Sequence, residues 1–474
     1  MPREIMIDPV TRIEGHAKIS LKLNDSGDVV DAMFHVTQFR GFETLCEGRP
    51  LTEMPSLMAR TCGICPVSHL TASAKACDAL LSVKIPETAA NLRRLMNLAQ
   101  LVQSHALSFF HLSSPDLLMG FDADPAKRHF FGVAQEYPQL ARDGIRLRQI
   151  GQTVIEILGG KKIHPAWAVP GGVSKPLDAP DRDKMLAMMP EALEIAQRTL
   201  QWYKRAVVPY GQEARTFANF PTLFLGLITE SGGLEHYDGL LRVVDSKGEI
   251  LVDKFPPERY QELIAEAVEP FSFMKFPYFK ELGYPQGVYR VGPLARLNLV
   301  DHCGTPVADQ EWAELREIQR GAVLSSFHYH HARLVEIIFG IEMMQRILND
   351  PHILDTKVRA RARPNQGEGV GVAEAPRGTL IHHYRIDDNG LMIWANLIIA
   401  TGHNNLAMNR GILQAAQHFI SGDKISEGAL NRVEAVIRCY DPCLSCATHA
   451  LGKMPLKIEL VNSTGEVIHA IQRS

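Results

Sequence analysis

The sequence has no strong excess of charge of either sign. Its 474 residues include 50 lysines and arginines against 53 aspartates and glutamates, which leaves a net charge of −3. Nucleic-acid binding relies on basic surface that neutralises phosphates, so a nucleic-acid partner is not expected. Hydrophobic residues make up 46% and charged residues 22% of the chain, proportions typical of a folded globular protein.

Long apolar runs are missing as well. The most apolar stretch, 391–400, is shorter than the about 20 residues that cross a bilayer, and it contains Asn396. It predicts a buried strand and no transmembrane segment. The first residues, MPREIMIDPVTRIEGH, contain neither a twin arginine nor an apolar stretch followed by small residues, so we expect no export signal and a cytoplasmic location.

Cysteine is scarce, with eight residues in the whole chain, which argues against a disulfide framework and for metal ligands or buried thiols. Four of them form two Cys-x-x-Cys pairs near opposite ends, Cys62/Cys65 in RTCGICPVSH and Cys443/Cys446 in YDPCLSCATH. These thiolates can bind one soft or borderline metal centre if the fold brings the two ends together. A structural zinc site is the alternative, although zinc ribbons usually hold both pairs within a few tens of residues.

Alternating hydrophobicity predicts a β hairpin at each end of the chain, over 15–37 and 455–471, around the turns Asn24–Gly27 and Asn462–Gly465. Between them we expect helices at about 66–82, 87–112, 182–206, 311–348 and 404–437. The stretch 86–112 is apolar on too wide a face for a surface helix and should be central. The expected fold class is α+β, mainly α, with a central bundle of long helices and peripheral β hairpins.

Five motifs occur in order over most of the chain. They are TRIEGH at 11–16, RGFE at 40–43, RTCGICPVSH at 60–69, GVGVAEAPRG at 369–378 and DPCLSCATH at 441–449. Together they resemble the large, catalytic subunit of a [NiFe]-hydrogenase, and the neighbouring residues LCEGRP and ICPVSH are most similar to the soluble bidirectional, NAD-reducing class. The resemblance implies the [NiFe]-hydrogenase large-subunit fold as a single interlocked domain over 1–449, and reversible heterolytic cleavage of H2 to protons and electrons.

The resemblance also implies how the cysteines act. Cys62 and Cys443 would be terminal nickel ligands, while Cys65 and Cys446 would bridge nickel to iron in a Ni-Fe(CN)2(CO) centre. Soft thiolates suit both metals, and a thiolate is also a base. Cys443 is expected to take the proton from H2, and Glu14 is expected to relay that proton outward.

Charged residues are expected around this centre. Arg377 of EAPRG would lie over the open metal position as a fixed cation, with Asp116 and Asp441 holding its guanidinium. Without the resemblance, Asp441 is a candidate turn residue and Asp116 a candidate helix-end residue. For Glu14 the alternative is a cap or a pair with Arg12.

Glu43 of RGFE and His449 match the residues that hold a magnesium ion in the family. A carboxylate suits Mg2+, whereas histidine is a less usual ligand for so hard an ion. His69 is expected to hydrogen-bond a cysteine sulfur, and Ile64 either to wall a gas channel or simply to pack. The cluster Phe327–His331 looks like a metal-binding sequence, but histidine pairs suited to a helix are spaced i, i+4, so helix surface or core packing is the better prediction.

The remaining cofactors should lie on other subunits. The glycine-rich Gly367–Gly371 follows no apolar strand and precedes no helix, so it does not predict dinucleotide binding, and NAD and FMN are assigned to flavin- and NAD-binding diaphorase subunits. Cys46, Cys77, Cys303 and Cys439 are too scattered for a four-cysteine cluster, and Cys77 and Cys303 are predicted core residues. The iron-sulfur clusters are therefore assigned to partners, beginning with a small hydrogenase subunit.

Residues 450–474 continue past His449. In the family a nickel-dependent maturation protease cuts after this histidine, so the resemblance implies a precursor whose C-terminal extension, 450–474, is removed on maturation. The alternatives are a hydrogenase of another soluble class with a different acceptor, or a non-catalytic zinc-stabilised scaffold. The related subunit of NADH:quinone oxidoreductase lacks the four cysteine ligands.

Overall fold

The computed structural model describes residues 3–421, 425–449, 456–462 and 466–473. Helices and short strands are interspersed along these residues. The α-helices are α1 (Phe42–Leu45), α2 (Met54–Met58), α3 (Pro66–Leu81), α4 (Glu87–Leu107), α5 (Ser114–Met119), α6 (Phe130–Glu136), α7 (Pro138–Gly159), α8 (Ala179–Ala206), α9 (Gly211–Thr216), α10 (Pro293–Leu299), α11 (Pro306–Arg316), α12 (Tyr329–Asn349), α13 (Ala400–His403), α14 (Asn405–Phe419), α15 (Glu427–Tyr440) and α16 (Leu444–Ala447). The strands are β1 (Arg3–Ile7), β2 (Ala17–Leu23), β3 (Val29–Val36), β4 (Ala168–Val169), β5 (Gly172–Val173), β6 (Leu223–Ile228), β7 (Leu240–Val244), β8 (Ile250–Phe255), β9 (Ile264–Ala267), β10 (Phe276–Phe279), β11 (Tyr289–Arg290), β12 (Glu368–Ala375), β13 (Gly378–Ile386), β14 (Met392–Ile398), β15 (Leu456–Val461) and β16 (Val467–Arg473).

Long helices form the centre of the molecule. Helix α4 packs against α7 and α12, and α12 also packs against α8. Most side chains of α4 and α12 are buried, including polar ones such as Arg93, Asn97 and Gln100. A helix buried on all sides needs no polar face, which is why the wide apolar face of 86–112 predicted a central position. The expected α+β fold, mainly helical with peripheral strands, is confirmed.

Small sheets surround the helices. Strands β1, β2 and β3 form one antiparallel sheet, and β12, β13 and β14 form another, in which β12 packs on α3. Both predicted terminal hairpins are present, as β2–β3 and β15–β16, although most of the predicted turn Asn462–Gly465 lies outside the described residues. The sheet β11-β6-β7-β8 was not predicted. Strand β6 is a continuous apolar run, which periodicity does not distinguish from a buried helix.

Three predicted helices differ from those observed. The 311–348 pattern is two helices, α11 and α12, separated by a segment in which Gly321 has a left-handed φ of 83° and a Cβ would lie 2.8 Å from Lys247 O. The 404–437 pattern likewise divides into α14 and α15. Helix α4 ends at Leu107, and Ser108–Ser113 continue as a π-helical turn into α5. Apolar spacing persists across these breaks because both sides face one core.

Other sequence features have structural explanations. The segment 391–400 contains strand β14 as predicted, and no helix within the described ranges is long and apolar enough to span a membrane. His330 and His331 are buried at the start of α12, in agreement with the packing prediction. A Cβ at Gly371 of β12 would lie 2.0 Å from Ala72 O of α3. A Cβ at Gly369 would likewise lie 2.5 Å from Ala76 O, so Gly369 and Gly371 serve the close approach of a strand to a helix.

Candidate metal centre

The two Cys-x-x-Cys pairs meet in the interior of the molecule. Cys62 Sγ lies 3.3 Å from Cys443 Sγ. Cys446 Sγ lies 3.8 Å from Cys65 Sγ and 2.9 Å from Cys443 Sγ. All four sulfurs lie within 4.8 Å of one another, and each cysteine is at most 4% exposed. The predicted return of the C-terminal pair to the N-terminal one is confirmed.

These sulfurs are too close to be charged independently. Hydrogen bonding to Cys446 raises the pKa of Cys443, and burial raises the pKa of Cys446. Four buried thiolates at such distances need positive charge among them. Soft or borderline metal ions supply that charge and favour thiolate ligands, so both the donor set and its spacing fit a metal centre.

The loop of the first pair is fixed from the central helix. Gln100 Nε2 and Gln103 Nε2, both on α4, donate to Ile64 O at 2.7 and 2.8 Å. The backbone N–H groups of Ile64 and Cys65 lie 3.2 and 3.1 Å from Cys62 Sγ. The loop therefore directs two backbone donors at the sulfur of Cys62.

The TRIEGH segment lies directly against the second pair. Leu444 N donates to Glu14 O at 3.1 Å, and Ser445 N donates to Glu14 Oε2 at 3.1 Å. Ser445 Oγ also donates to the Glu14 carboxylate. Gly15 has a φ of 92°, and a Cβ there would lie 2.7 Å from Leu444 Cβ, so this approach requires glycine. Arg12 pairs with a different carboxylate, so the Glu14–Arg12 pair is wrong. The other alternative, that Glu14 acts as a cap, agrees with its hydrogen bond from Ser445 N in the first turn of α16.

A buried arginine and aspartate lie beside the sulfurs. Arg377 Nη2 lies 3.0 Å from Asp441 Oδ2, and Arg377 Nε donates to Asp441 O at 2.5 Å. Arg377 Nη1 donates to Ser104 Oγ at 3.2 Å. Burial opposes the charge of Arg377, but Asp441 and the thiolates outweigh it and raise its pKa. Burial in turn raises the pKa of Asp441, against the opposing effect of Arg377. The structure thus brings these two predicted residues together.

Asp116 has different partners from those expected. Its Oδ1 lies 2.5 Å from Arg12 Nη2 and accepts from Asn431 Nδ2 at 3.0 Å, and its Oδ2 lies 3.0 Å from Arg438 Nη1. The prediction that Asp116 holds the Arg377 guanidinium is corrected, because other cations engage both carboxylate oxygens. Burial opposes the charge of Asp116, but Arg438 and Arg12 outweigh it and lower its pKa. This Asp116 cluster (Asp116, Arg12, Arg438 and Asn431) joins the TRIEGH segment to α15, just before the second cysteine pair.

The two residues predicted for magnesium are both buried. Glu43 Oε1 accepts from Lys275 Nζ at 2.8 Å, and Lys275 Nζ also lies 3.6 Å from Glu266 Oε2. Burial raises the pKa of Glu43, against the opposing effect of Lys275. His449 Nε2 lies 2.7 Å from Cys446 O, whereas its Nδ1 is buried without a hydrogen-bond partner among the described residues. Lys275 was not predicted from the sequence.

All eight cysteines are buried, both at the centre and outside it. Hydrogen bonding to Cys443 lowers the pKa of Cys65. His69 Nδ1 lies 3.2 Å from His382 Nε2, and the hydrogen bond from His69 to a cysteine sulfur stays a prediction. Burial raises the pKa of Cys46 and of Cys439 to about 12. Cys46 and Cys439 are fully buried in the hydrophobic core and lie outside the four-sulfur group, so they behave as core residues.

Several residues that shape the centre were not predicted. Gln100 and Gln103 of α4 donate to the Ile64 carbonyl, and Ser104 of α4 accepts from Arg377. The presence of polar residues in so apolar a helical stretch could have indicated that they contact the centre. Thr401 Oγ1 accepts from the N–H of Cys443 at 2.9 Å. His164 Nε2 lies 2.9 Å from the carbonyl of the first cysteine. These last two contacts join distant segments, and no local pattern indicates them.

The geometry defines a metalloprotein with a buried four-thiolate centre beside an arginine–aspartate pair. Comparison with family models matches 40–137 and 228–449 to the nickel-dependent hydrogenases, and 4–39 to a HoxL-like model. The chain therefore belongs to the nickel-dependent hydrogenase family, as a [NiFe]-hydrogenase large subunit. It is an oxidoreductase that acts on H2, and its four-cysteine cluster fits a Ni–Fe centre.

Relatives match over nearly their whole length. The NAD-reducing hydrogenase HoxS subunit beta of Cupriavidus necator is 40% identical, over 99% of each chain. A chain of the F420-non-reducing hydrogenase vhc of Methanococcus voltae is 42% identical, over 95% of this chain and 96% of that one. A crystal structure of an NAD+-reducing [NiFe]-hydrogenase in the H2-reduced state aligns with a TM-score of 0.92 and 45% identity, over 94% of this chain and 99% of that one. The Ni-Fe-Se hydrogenase of D. vulgaris Hildenborough aligns with a TM-score of 0.77 and 25% identity, over 95% and 100%.

Proposed function

We propose that this chain cleaves H2 heterolytically and reversibly at the four-cysteine centre, within a complex that exchanges electrons with NAD(H). The observation that carries the H2 chemistry is the meeting of both cysteine pairs beside Arg377 and Asp441. Similarity to the NAD-reducing relatives supports NAD(H) as the partner in electron exchange. Flavin- and NAD-binding diaphorase subunits, reached through a small iron-sulfur subunit, would complete the path in the cytoplasm.

An electron acceptor other than NAD+ is the main alternative. Similarity to F420-non-reducing hydrogenases is equally extensive, which supports a hydrogenase with another acceptor. The test is to purify the intact complex, identify its subunits and measure H2-dependent reduction of NAD+ beside reduction of a viologen dye. Reduction of both supports the NAD path, whereas dye reduction without any NAD+ reduction would contradict it.

The ligands divide between the two metals in this proposal. Cys62 and Cys443 would be ligands of nickel alone, and Cys65 and Cys446 would be ligands of both nickel and an iron that carries CN and CO. When bound, this centre would supply the polarisation of H2 and take up its electrons. Elemental analysis should give one Ni and one Fe per chain, with infrared bands from CN and CO. Stoichiometric zinc without those bands would support the zinc-stabilised scaffold and refute this assignment.

Proton transfer is assigned to the chain's own groups. The Cys443 thiolate accepts a proton at Sγ, and the Glu14 carboxylate carries it away from the buried sulfur. Glu14 is suited to this role because its carboxylate is held by Ser445, and because it is half-buried while Cys443 is 1% exposed. A carboxylate between a buried donor and solvent is a common general acid or base.

Glu14→Gln tests this route, because glutamine can still accept from Ser445 but cannot carry a proton. H2 turnover should fall by about a hundredfold or more, with Ni and Fe content unchanged. Glu434→Gln is the matched control, since Glu434 accepts from Thr11 N at 2.6 Å and anchors the same segment. Turnover that is equal in the Glu14 variant and the native protein would remove the relay role.

We also assign a magnesium ion to Glu43 and His449. A carboxylate suits a hard cation, and those of Glu43 and Glu266 have one ammonium, Lys275, between them. His449 Nδ1, a less usual ligand for Mg2+, is buried without a partner among the described residues. Glu43→Gln should lower the Mg content of the purified protein. Unchanged content, or none in the native protein, would argue against this site.

The chain is proposed to be a precursor. A nickel-dependent maturation protease would remove 450–474 after His449, and leave 1–449 as the mature domain. The hairpin β15–β16 is consistent with an extension that pairs as strands. Intact mass spectrometry of nickel-loaded protein should give the mass of 1–449, and a full-length mass would contradict the proposal.

A further inference from the structure

A second buried arginine, Arg296 of α10, lies behind the turn that carries Arg377. Strand β12 ends at Ala375 and β13 begins at Gly378, so Pro376 and Arg377 form the two-residue turn between them. Arg296 Nη1 donates to Ala375 O at 3.0 Å, and Arg296 Nη2 donates to Pro376 O at 3.2 Å. Arg296 is fully buried, so solvent does not compete for these bonds.

Two carboxylates orient this arginine. Nε and Nη2 of Arg296 donate to Glu336 Oε1 and Oε2, both at 2.6 Å, in a bidentate pair. Nη1 donates to Glu374 Oε2 at 2.7 Å. The two carboxylates and the two backbone carbonyls thus use all five N–H groups of the guanidinium. Glu336 is fixed by His105 Nε2 at 2.8 Å, and Glu374 by Thr379 Oγ1 at 2.7 Å.

The turn is also enclosed by the start of α10. A Cβ at Gly292 would lie 2.7 Å from Arg377 O, and a Cβ at Gly378 would lie 2.2 Å from Val291 Cγ2. The backbone of the turn therefore has little room on this side. Its position depends on α10, while the Arg377 side chain reaches across to Asp441.

We infer that Arg296 is a positioning residue for Arg377. Its guanidinium, fixed by Glu336 and Glu374, holds the two carbonyls that precede Arg377 and so determines where the Arg377 guanidinium lies over the sulfurs. The inference rests on the proposed function, in which Arg377 acts as a fixed cation beside the four-cysteine centre. Lysine cannot take the place of Arg296, because an ammonium has three donors and no planar fork.

The experiment compares Arg296→Lys, Arg377→Lys and the double variant in the metal-loaded complex. Arg93→Lys is the matched control, because Arg93 is equally buried, pairs with Asp78 at 2.6 Å and donates to the carbonyls of Val169 and Gly172, with no contact to the Arg377 turn. The measurements are Ni and Fe content, the infrared bands of CN and CO, and kcat and KM for H2.

Arg296→Lys should retain both metals, shift the infrared bands in the same direction as Arg377→Lys, and lower kcat about ten- to a hundredfold. In the Arg377→Lys background the same change should lower kcat less than about twofold, because the group through which Arg296 acts is already altered. Arg93→Lys should leave the bands in place. If Arg296→Lys yields no folded complex, Glu336→Gln replaces it in the comparison with Arg377→Lys and in the double variant, because it weakens the bidentate pair.

Three results would overturn the inference and are distinguishable. If Arg377→Lys shifts the bands and lowers kcat but Arg296→Lys does neither, or if the two effects multiply in the double variant, Arg296 does not act through Arg377. If Arg377→Lys itself changes nothing, the role proposed for Arg377 fails, and the inference fails with it.

Discussion

Replacing Asp116 by asparagine tests the cluster that joins the first and last functional segments. The carboxylate is 3% exposed and pairs with Arg12 at 2.5 Å and Arg438 at 3.0 Å. Asparagine keeps the shape and removes the charge. Removing one partner of a buried ion pair costs about 3–5 kcal/mol, because the remaining charge is uncompensated. Arg438 keeps Glu434 at 3.1 Å, so the lower part of that range, about 3–4 kcal/mol, is expected.

This loss in the free energy of unfolding corresponds to a small decrease in Tm. Unfolding entropy of about 2.1 cal/mol/K per residue gives roughly 1 kcal/mol/K for 474 residues. The Tm should therefore fall by about 3–4 °C, measured on the metal-loaded complex at one fixed scan rate. Asp122→Asn is the control, since Asp122 pairs with Arg432 at the surface and its side chain is 72% exposed; its effect should be within about 0.5 kcal/mol.

The pH dependence has a defined sign. Arg438 and Arg12 lower the pKa of Asp116 from 3.8 despite burial, so its stabilising contribution is complete above about pH 4 and is lost as pH falls through the lowered pKa. The Tm difference between native protein and Asp116→Asn should stay constant from pH 7 to 5 and narrow only below pH 4. If Asp116 instead held Arg377, its replacement would shift the CN and CO bands, as replacement of Asp441, which pairs with Arg377 at 3.0 Å, is expected to do. Shifted bands with an unchanged Tm would refute the reasoning.

Three further outcomes are expected. Burial lowers the pKa of His331 from 6.5 to about 3, so between these pH values the unfolded state binds more protons than the folded state. The free energy of unfolding therefore falls by about 1.4 kcal/mol per pH unit below 6.5. His331→Phe should make the decline in Tm from pH 7 to 5 less steep, and an equal decline in the variant and the native protein would contradict this. Lys275→Met leaves Glu43 buried without its cation, so the Tm should fall, and added Mg2+ should restore part of it; no response to Mg2+ would argue against the magnesium site. Cys46, whose pKa burial raises to about 12, should resist iodoacetamide at pH 8 in the folded protein and react after unfolding, as mass spectrometry of the labelled peptide will show.

Much of the fold followed from periodicity, and its failures have a physical cause. Helix α3 and strand β14 were predicted almost to their ends, because each carries a clear apolar pattern. The division of 311–348 into α11 and α12 was missed, because apolar spacing continues across the break toward one core. Strand β6 was missed because an apolar run alone does not specify a strand.

At the centre, residue types and short spacings were sufficient to define the donor set. Cys62, Cys65, Cys443 and Cys446 are soft ligands in pairs that can turn toward one site, and that much is local chemistry. Only the folded chain determines which carboxylate pairs with each cation. Asp116 pairs with Arg12 and Arg438 and not with Arg377, and Arg296 hydrogen-bonds the turn behind the site. These contacts link residues far apart in the chain, and the free energy of a buried charge depends on the groups that folding brings within a few ångströms of it. Local spacing therefore identifies the metal-binding groups, whereas tertiary packing determines which charges surround them.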